Sequence, residues 1–296
     1  MKKLLVIVGA TATGKSNLAI KIAKKFNGEI ISADSRQIYR NLDIGTGKIT
    51  EQEQKQVKHY MINIASVKKQ YTVAQYTQQA NKIIKKIWRQ QKLPIICGGS
   101  PLYVISVIEG LQFPKIKTNP KLRAQLSARP LTDLWQELKK LDPVRANNID
   151  SNNKRRIIRA LEIIYTTKKP IQPLKKQPLT SDILILSTQK SKEEIKHLIK
   201  TRLDKRLKQG MIKEVKKIKK QNISSKRLYD LGLEYRYINL YLDKKISYQE
   251  MYDTLYKKII DFAKRQLTWF KKFPNVQYIN NDKQAIKIVK RWLSKP

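Results

Sequence analysis

Cysteine occurs once in the 296 residues, as Cys97, and histidine twice, as His59 and His197. A single thiol excludes an intramolecular disulfide framework and a cysteine-rich zinc module, and two isolated imidazoles give no basis for a dedicated N/S metal site. No apolar run approaches the ~18 residues that a membrane helix needs. The opening MKKLLVIVGA meets Gly14 and Lys15 too soon for a secretory leader, so a cytoplasmic protein with no membrane partner is expected. Gly/Ser-rich and Pro-rich tracts are also missing. With 41% hydrophobic and 29% charged residues, the composition excludes disorder, collagen and low-complexity arrays. The length admits a large domain carrying a smaller one.

Acidic residues are scarce: 23 stand against 63 lysines and arginines, for a net charge of +40. Such a field favours polyanions and makes nucleic acid the first partner to test, although an AT-rich genome would produce the same Lys-, Ile-, Asn- and Tyr-heavy composition. The excess is spread along the chain, at +12 over residues 1–113, +11 over 114–181 and +17 over 182–296. Total charge therefore identifies no surface, and basic residues have to be read in local context.

Short apolar runs alternate with helical patterns in the first third, as in parallel strands joined by crossover helices. Strands are expected over residues 4–8, 29–32, 59–64 and 93–97. Between the last two, Val73, Tyr76, Ala80, Ile83, Ile84 and Ile87 recur at helical spacing on a helix that starts near Thr72. From Phe113 the pattern changes. Pro114, Pro120, Pro130, Pro143, Pro170, Pro173 and Pro178 punctuate helical pieces over 131–141 and 153–166, which predicts an inserted all-helical domain over 114–181. A four-residue aliphatic run at 183–186 predicts a return strand, so the core comprises 1–113 and 182–296. Ser191 with Glu194, and Ser247 with Glu250, are capping boxes opening helices that run to about Gln221 and Lys272. Residues 282–293 form a terminal amphipathic helix. Cys97 is expected as a buried strand residue, both histidines as structural, and Trp269 and Phe270 as core.

Gly9-Ala10-Thr11-Ala12-Thr13-Gly14-Lys15-Ser16 fits the phosphate-loop pattern of Gly, four residues, then Gly-Lys-Ser/Thr. Small residues let successive backbone N–H groups curl around phosphate oxygens, and the next helix presents its positive end to the anion. Lys15 adds a mobile charge and Ser16 a hydroxyl for Mg²⁺. An aliphatic strand leads in and a helix leads out, as this mechanism requires. Asp34 follows the second strand, where side chains beyond the carboxyl ends of a parallel sheet face the ligand crevice; the same position suits a helix N-cap.

The phosphate loop, Ile31-Ser32-Ala33-Asp34-Ser35, Ile38-Tyr39, Asp43-Ile44-Gly45-Thr46, Gly98-Gly99-Ser100-Pro101-Leu102-Tyr103, Arg159-Ala160-Leu161-Glu162 and Ala263-Lys264-Arg265-Gln266-Leu267-Thr268-Trp269-Phe270 occur in that order. Together they resemble the bacterial tRNA dimethylallyltransferase family, whose members prenylate the adenosine 3′-adjacent to the anticodon, and the resemblance covers nearly the whole chain. It implies an α/β fold: a P-loop, nucleotide-kinase-like parallel sheet with helices on both faces, plus an inserted all-helical domain. It further implies that Gly9 to Ser16 hold the diphosphate of dimethylallyl diphosphate with Mg²⁺ at Ser16, that Lys15 and Arg202 neutralise it, and that Asp34 is the general base. Asp34, Ser35, Arg36, Gln37, Arg155, Arg156, Arg159 and Arg236 would face the anticodon arm of tRNA, bound by a monomer. The chain departs from the family in having Ala10 for a usual proline, Gly47 for alanine, Leu198 for arginine and Arg206 for methionine.

The acceptor amine is a poor nucleophile because its lone pair is delocalised into the purine. Catalysis is therefore expected from stabilising charge on the departing diphosphate, with proton removal by Asp34. Lys154, Arg155, Arg156 and Arg159 include positions three to four apart, which can follow phosphates along one helix face. From the loop alone, a small-molecule kinase and an RNA-stimulated NTPase remain open.

Overall fold

β1 (Lys3–Val8) is apolar on both faces, and Leu4 through Val8 are each 0% exposed. A strand of that kind is stable only when covered on both sides. In the computed structural model, which describes residues 1–114 and 116–295, β1 lies inside a six-stranded sheet. It pairs in parallel with β4 (Leu93–Cys97) through Val6 against Ile96, and with β5 (Asp182–Thr188) through Val6 against Ile185. β2 (Gly28–Ser32) pairs with β4 and with the short β3 (His59–Tyr60), and β6 (Val276–Ile279) pairs with β5. The order β3-β2-β4-β1-β5-β6, parallel throughout, brings the carboxyl ends of β1, β2 and β4 side by side.

Alternate residues of each strand supply two cores. Leu5, Ile7, Ile30, Ile95 and Leu186 pack on α1 (Lys15–Lys25) through Leu18 and Ile22, and on α14 (Asp282–Leu293) through Val289 and Trp292. Leu4, Val6, Val8, Ile31 and Ile96 face a larger helical layer. It contains α3 (Val73–Arg89), α4 (Pro101–Ile108), α9 (Lys192–Lys208), α10 (Met211–Lys219), α11 (Ser225–Leu231), α12 (Leu233–Leu242) and α13 (Tyr248–Phe270). A short α2 (Glu51–Gln56) precedes β3. This is the expected doubly covered α/β sheet.

The chain divides into two compact units, one of Met1–Gly110 with Gln177–Pro296 and one of Leu111–Lys176. The second is all-helical: α5 (Pro120–Ala128), α6 (Leu131–Leu141), α7 (Pro143–Asn147) and α8 (Lys154–Thr167) enclose Leu134, Leu138, Ile157 and Leu161. Proline opens α5 and α7, where its missing N–H costs nothing. An antiparallel bridge from Leu111 to Lys176 ties this unit's two ends. Residues 177–181 belong to the first unit: the Gln177 N–H donates to Gly110 O, and Leu179 packs on the larger core.

Several elements differ from expectation. β3 ends at Tyr60 rather than 64, because Met61 and Asn63 adopt φ of 63° and 57°, incompatible with a strand. The helix opened by Ser191 stops at Lys208, and a new one starts after Gly210, whose φ of 96° reverses the backbone. The helix opened by Ser247 ends at Phe270, capped by Lys271, close to the expected end, whereas β6 lies outside the expected strands. Phe270 is buried, but Trp269 is 41% exposed and not core. Cys97 is buried in β4 as expected.

Candidate active site

The phosphate loop turns at the end of β1. Gly14, at φ 82°, is the left-handed N-cap of α1, a conformation that glycine takes without a Cβ penalty. Ala12 holds φ 67° with a side chain, a strain of about 1–2 kcal/mol that surrounding bonds must sustain. Thr13 Oγ1 donates to Ala10 O at 2.9 Å and lies 2.6 Å from Thr188 Oγ1 on β5. Gly9 allows that approach, because a Cβ there would stand 2.1 Å from the Thr188 hydroxyl oxygen. The Thr11 N–H donates to Gln266 Oε1 at 2.9 Å, and Gln266 Nε2 donates to Gly99 O at 2.6 Å. Lys15 Nζ folds back onto Ala10 O at 2.9 Å.

Thr11, Lys15, Ser16, Asp34, Gln37 and Arg202 line one cleft above β1, β2 and β4. Arg202 is the one α9 residue lining it among the described residues; its Nη1 donates to Thr11 Oγ1 at 3.1 Å and its Nη2 to Gly47 O at 3.4 Å. Burial lowers the Lys15 ammonium from its usual 10.5 to about 8; Cys97 and Asp34 oppose the shift and Arg202 adds to it. Burial, and next the charge of Arg206, likewise depress Arg202. A bound polyanion would favour both charged forms.

Asp34 combines the cap and the cleft position. Its Oδ1 accepts from the N–H groups of Arg36 at 2.8 Å and Gln37 at 3.3 Å, fixing the carboxylate, while Oδ2 has no hydrogen bond among the described residues. The Ser35 N–H is held by Ser100 Oγ at 3.0 Å. Gln37 is buried and donates through Nε2 to Gly47 O at 3.2 Å, so it also shapes the cleft wall. For a metal, no cluster of three or more His, Cys, Asp or Glu exists among the described residues. The Ser16 hydroxyl at the cleft is a hard oxygen ligand of the kind that Mg²⁺ combines with phosphate oxygens and water, so the residues present fit that ion.

Ser35, Arg36, Arg155, Arg156, Arg159 and Arg236 are not among the residues lining this cleft. Arg236, on α12, stacks 3.5 Å from the ring centroid of Tyr229. Arg155, Arg156 and Arg159 are on α8 of the second unit. Arg159 pairs with the fully buried Glu162, which also takes both an Nε and an Nη2 bond from Arg123 at 2.9 and 2.8 Å. Burial raises the Glu162 pKa, but bonds from Arg123, the Asn119 N–H and Arg159 outweigh it and hold the carboxyl low. Lys154 donates to Ser127 O and Arg129 O, closing α5. Arg156 is exposed and makes no side-chain bond among the described residues.

Two cleft residues differ from their sequence reading, which puts Gln266 with Lys264 and Arg265 on the RNA-facing side and makes His59 structural. Gln266 is 3% exposed despite the basic Lys264-Arg265 pair beside it, and only its two amide bonds reveal its role. His59 also lines the cleft: Nδ1 is 2.7 Å from Val57 O, which makes Nδ1–H the donor, and the buried Nε2 has no hydrogen-bond partner among the described residues. Burial depresses its pKa, so the ring is neutral near pH 7.

The sequence model of the family described as IPP transferase matches residues 37–273. A tRNA dimethylallyltransferase of Acetivibrio thermocellus is 38% identical, over 99% of this chain and 98% of its own length, and one of Carboxydothermus hydrogenoformans is 38% identical over 96% and 94%. Among solved structures, the tRNA isopentenylpyrophosphate transferase of Bacillus halodurans superposes with a TM-score of 0.74 at 33% identity, covering 99% of this chain and 96% of that one. A eukaryotic dimethylallyltransferase acting on tRNA superposes with a TM-score of 0.84 at 26% identity, covering 100% and 81%. With the family model spanning most of the length and relatives this similar from end to end, the chain belongs to the IPP transferase family.

Proposed function

We propose that this chain transfers a dimethylallyl group from dimethylallyl diphosphate to the exocyclic amine of the adenosine 3′-adjacent to the anticodon in tRNA, releasing diphosphate. One observation carries the reading: Asp34, whose Oδ2 has no hydrogen bond among the described residues, lines the same cleft as Thr11, Lys15, Ser16 and Arg202. A phosphate loop beside a fixed carboxylate suits a reaction in which a diphosphate leaves as a proton is removed. Lys15 and Arg202 offset charge as the allylic C–O bond of the donor breaks. The amine nitrogen forms the new C–N bond, and Asp34 Oδ2 accepts its proton, a contribution of typically 10²- to 10⁴-fold. Mg²⁺, held by Ser16 and the diphosphate oxygens, would supply further charge neutralisation when bound.

The acceptor base has to be drawn out of its RNA loop, at a cost of a few kcal/mol. Exposed cations such as Arg156 on α8 and Lys264 and Arg265 on α13 are suited to the RNA phosphates that offset this cost. The acting form is proposed to be a monomer. No described helix is long and apolar enough to cross a membrane, and a cytoplasmic site of action fits the RNA acceptor.

Thermal unfolding with each ligand separates this reading from a kinase. Dimethylallyl diphosphate at a hundred times its Kd should stabilise the protein by about 2.7 kcal/mol. For a chain of this length that corresponds to a rise in Tm of about 4 °C. A comparable rise with ATP and none with the prenyl donor would contradict the assignment.

A further inference from the structure

The segment from Asp43 to Lys48 has no helix or strand of its own, yet it forms the wall against which Arg202 and Gln37 are set. Gly47 O accepts from Gln37 Nε2 at 3.2 Å and from Arg202 Nη2 at 3.4 Å, and Thr46 O accepts from Arg202 Nη2 at 3.5 Å. The fit leaves no slack: Gly47 has φ 57°, and a Cβ there would stand 1.9 Å from Arg202 Nη2. Where this loop sits therefore decides where the Arg202 guanidinium sits, and through it the bond to Thr11 Oγ1 of the phosphate loop at 3.1 Å.

From outside the cleft the loop is held by a carboxylate, and also by Arg206, whose Nε donates to Ile44 O at 2.6 Å. Glu214, on α10, accepts the Asp43 N–H at 2.9 Å and the Ile44 N–H at 2.7 Å on Oε2, and the Gly45 N–H at 2.9 Å on Oε1. Tyr235, fully buried on α12, donates its hydroxyl to the same Oε1 at 2.8 Å. Three consecutive backbone donors converging on one ionised group are charge-assisted bonds, about twice as strong as neutral ones. Gly45 is required for this closeness, because a Cβ there would stand 2.4 Å from the Tyr235 hydroxyl oxygen. Glu214 does not line the cleft.

We propose that Glu214 is a positioning residue: by gripping the N–H groups of Asp43, Ile44 and Gly45, it sets the Gly47 and Thr46 carbonyls that aim Arg202 at the donor's diphosphate. This rests on the function proposed above for the identity of the donor, but inorganic pyrophosphate reads the same effect without any prenyl chemistry. In Glu214→Gln, one carboxylate oxygen becomes an amide nitrogen facing N–H donors it cannot accept from, so the loop loses its register while Arg202 itself is untouched.

The test is a double-mutant cycle of Glu214→Gln with Arg202→Ala, read as pyrophosphate affinity and as kcat/KM for dimethylallyl diphosphate, with KM for tRNA as control. Glu214→Gln alone should lower pyrophosphate affinity and donor kcat/KM by about 10-fold or more, leaving KM for tRNA within about 2-fold. In the Arg202→Ala background it should cost less than about 2-fold further, because its target is gone. Tyr235→Phe, which removes one donor and keeps the ring, should move the same quantities in the same direction by a smaller factor and serves if Glu214→Gln does not fold. A full multiplicative loss in the Arg202→Ala background, or unchanged pyrophosphate affinity in both folded variants, overturns the proposal. Pyrophosphate coupling in a protein that transfers no prenyl group would instead overturn the assigned reaction and leave the role of Glu214 standing.

Discussion

Thr11 and Gln266 stand 255 positions apart in the chain and share one hydrogen bond, from the Thr11 N–H to Gln266 Oε1 at 2.9 Å. The other end of the same amide donates to Gly99 O, so one side chain of α13 joins the loop after β1 to the loop after β4. Replacing Gln266 with Leu roughly keeps the volume but leaves a partly buried N–H and a buried carbonyl unpaired. The expected cost is about 1–3 kcal/mol of stability, seen in denaturant unfolding as a lower midpoint at unchanged slope. Donor KM should rise as Thr11 loosens, with KM for tRNA unchanged.

Lys15 makes the site pH-dependent, with a sign that follows from burial. Its folded pKa of about 8 lies below the unfolded value near 10.5, so at neutral pH the folded protein carries a disfavoured charge. That destabilisation is relieved as pH rises from about 8 to 10.5, where the unfolded chain still binds the proton that the folded one has released. Lys15→Met should accordingly raise Tm of the free protein at pH 7, lose the advantage by pH 10, and abolish transfer. Pyrophosphate binding should weaken above about pH 8 and take up close to one proton there, detected as a buffer-dependent heat of binding. At pH 7 the uptake should be small.

For Asp34, the measurement is single-turnover prenyl transfer. Asp34→Ala should lower the rate by about 10²- to 10⁴-fold while tRNA affinity changes little. Because Oδ1 also caps the Arg36 and Gln37 N–H groups, some stability is lost in Asp34→Ala. Asp34→Asn retains an amide oxygen for that cap, so it should recover stability but not rate. A near wild-type rate in Asp34→Asn would assign the residue to capping alone.

On α8 the arginines should separate by partner. Arg156→Ala should reduce the slope of log affinity for tRNA against log salt by about one while leaving Tm unchanged. Arg159→Ala should also lower Tm, because it strips one of two guanidinium groups from the buried Glu162. Glu162→Ala should be the more damaging change, at about 2–3 kcal/mol, since it leaves Arg123 and Arg159 without their carboxylate and the Asn119 N–H unpaired. Thermal unfolding and hydrogen exchange in α5 and α8 would register both.

The sequence is most informative where local rules and packing agree. Ser191, Ser247 and Thr72 mark helix starts because capping is a local reaction between neighbours, and the observed caps lie at those residues. β1 and β4 are legible because both of their faces are apolar. β6 carries Gln277 and Tyr278 on exposed positions of an edge strand and has no buried run to betray it. The break at Gly210 was hidden by basic helix formers on both sides. In the cleft, the loop motif identifies Lys15 and Ser16 because backbone geometry dictates their spacing, whereas Thr11 follows only from the family resemblance. Gln266, Glu214 and His59 act through contacts with sequentially distant segments or through a buried edge, and no local pattern encodes those.

The most direct test is transfer of radiolabelled dimethylallyl from its diphosphate to an unmodified tRNA transcript by this protein, with ATP hydrolysis followed in parallel. The predicted result is label at the adenosine beside the anticodon, stoichiometric diphosphate release, and no tRNA-dependent loss of ATP's γ-phosphate. Hydrolysis or transfer of that phosphate, with no prenyl group appearing on the RNA, would contradict the assigned reaction.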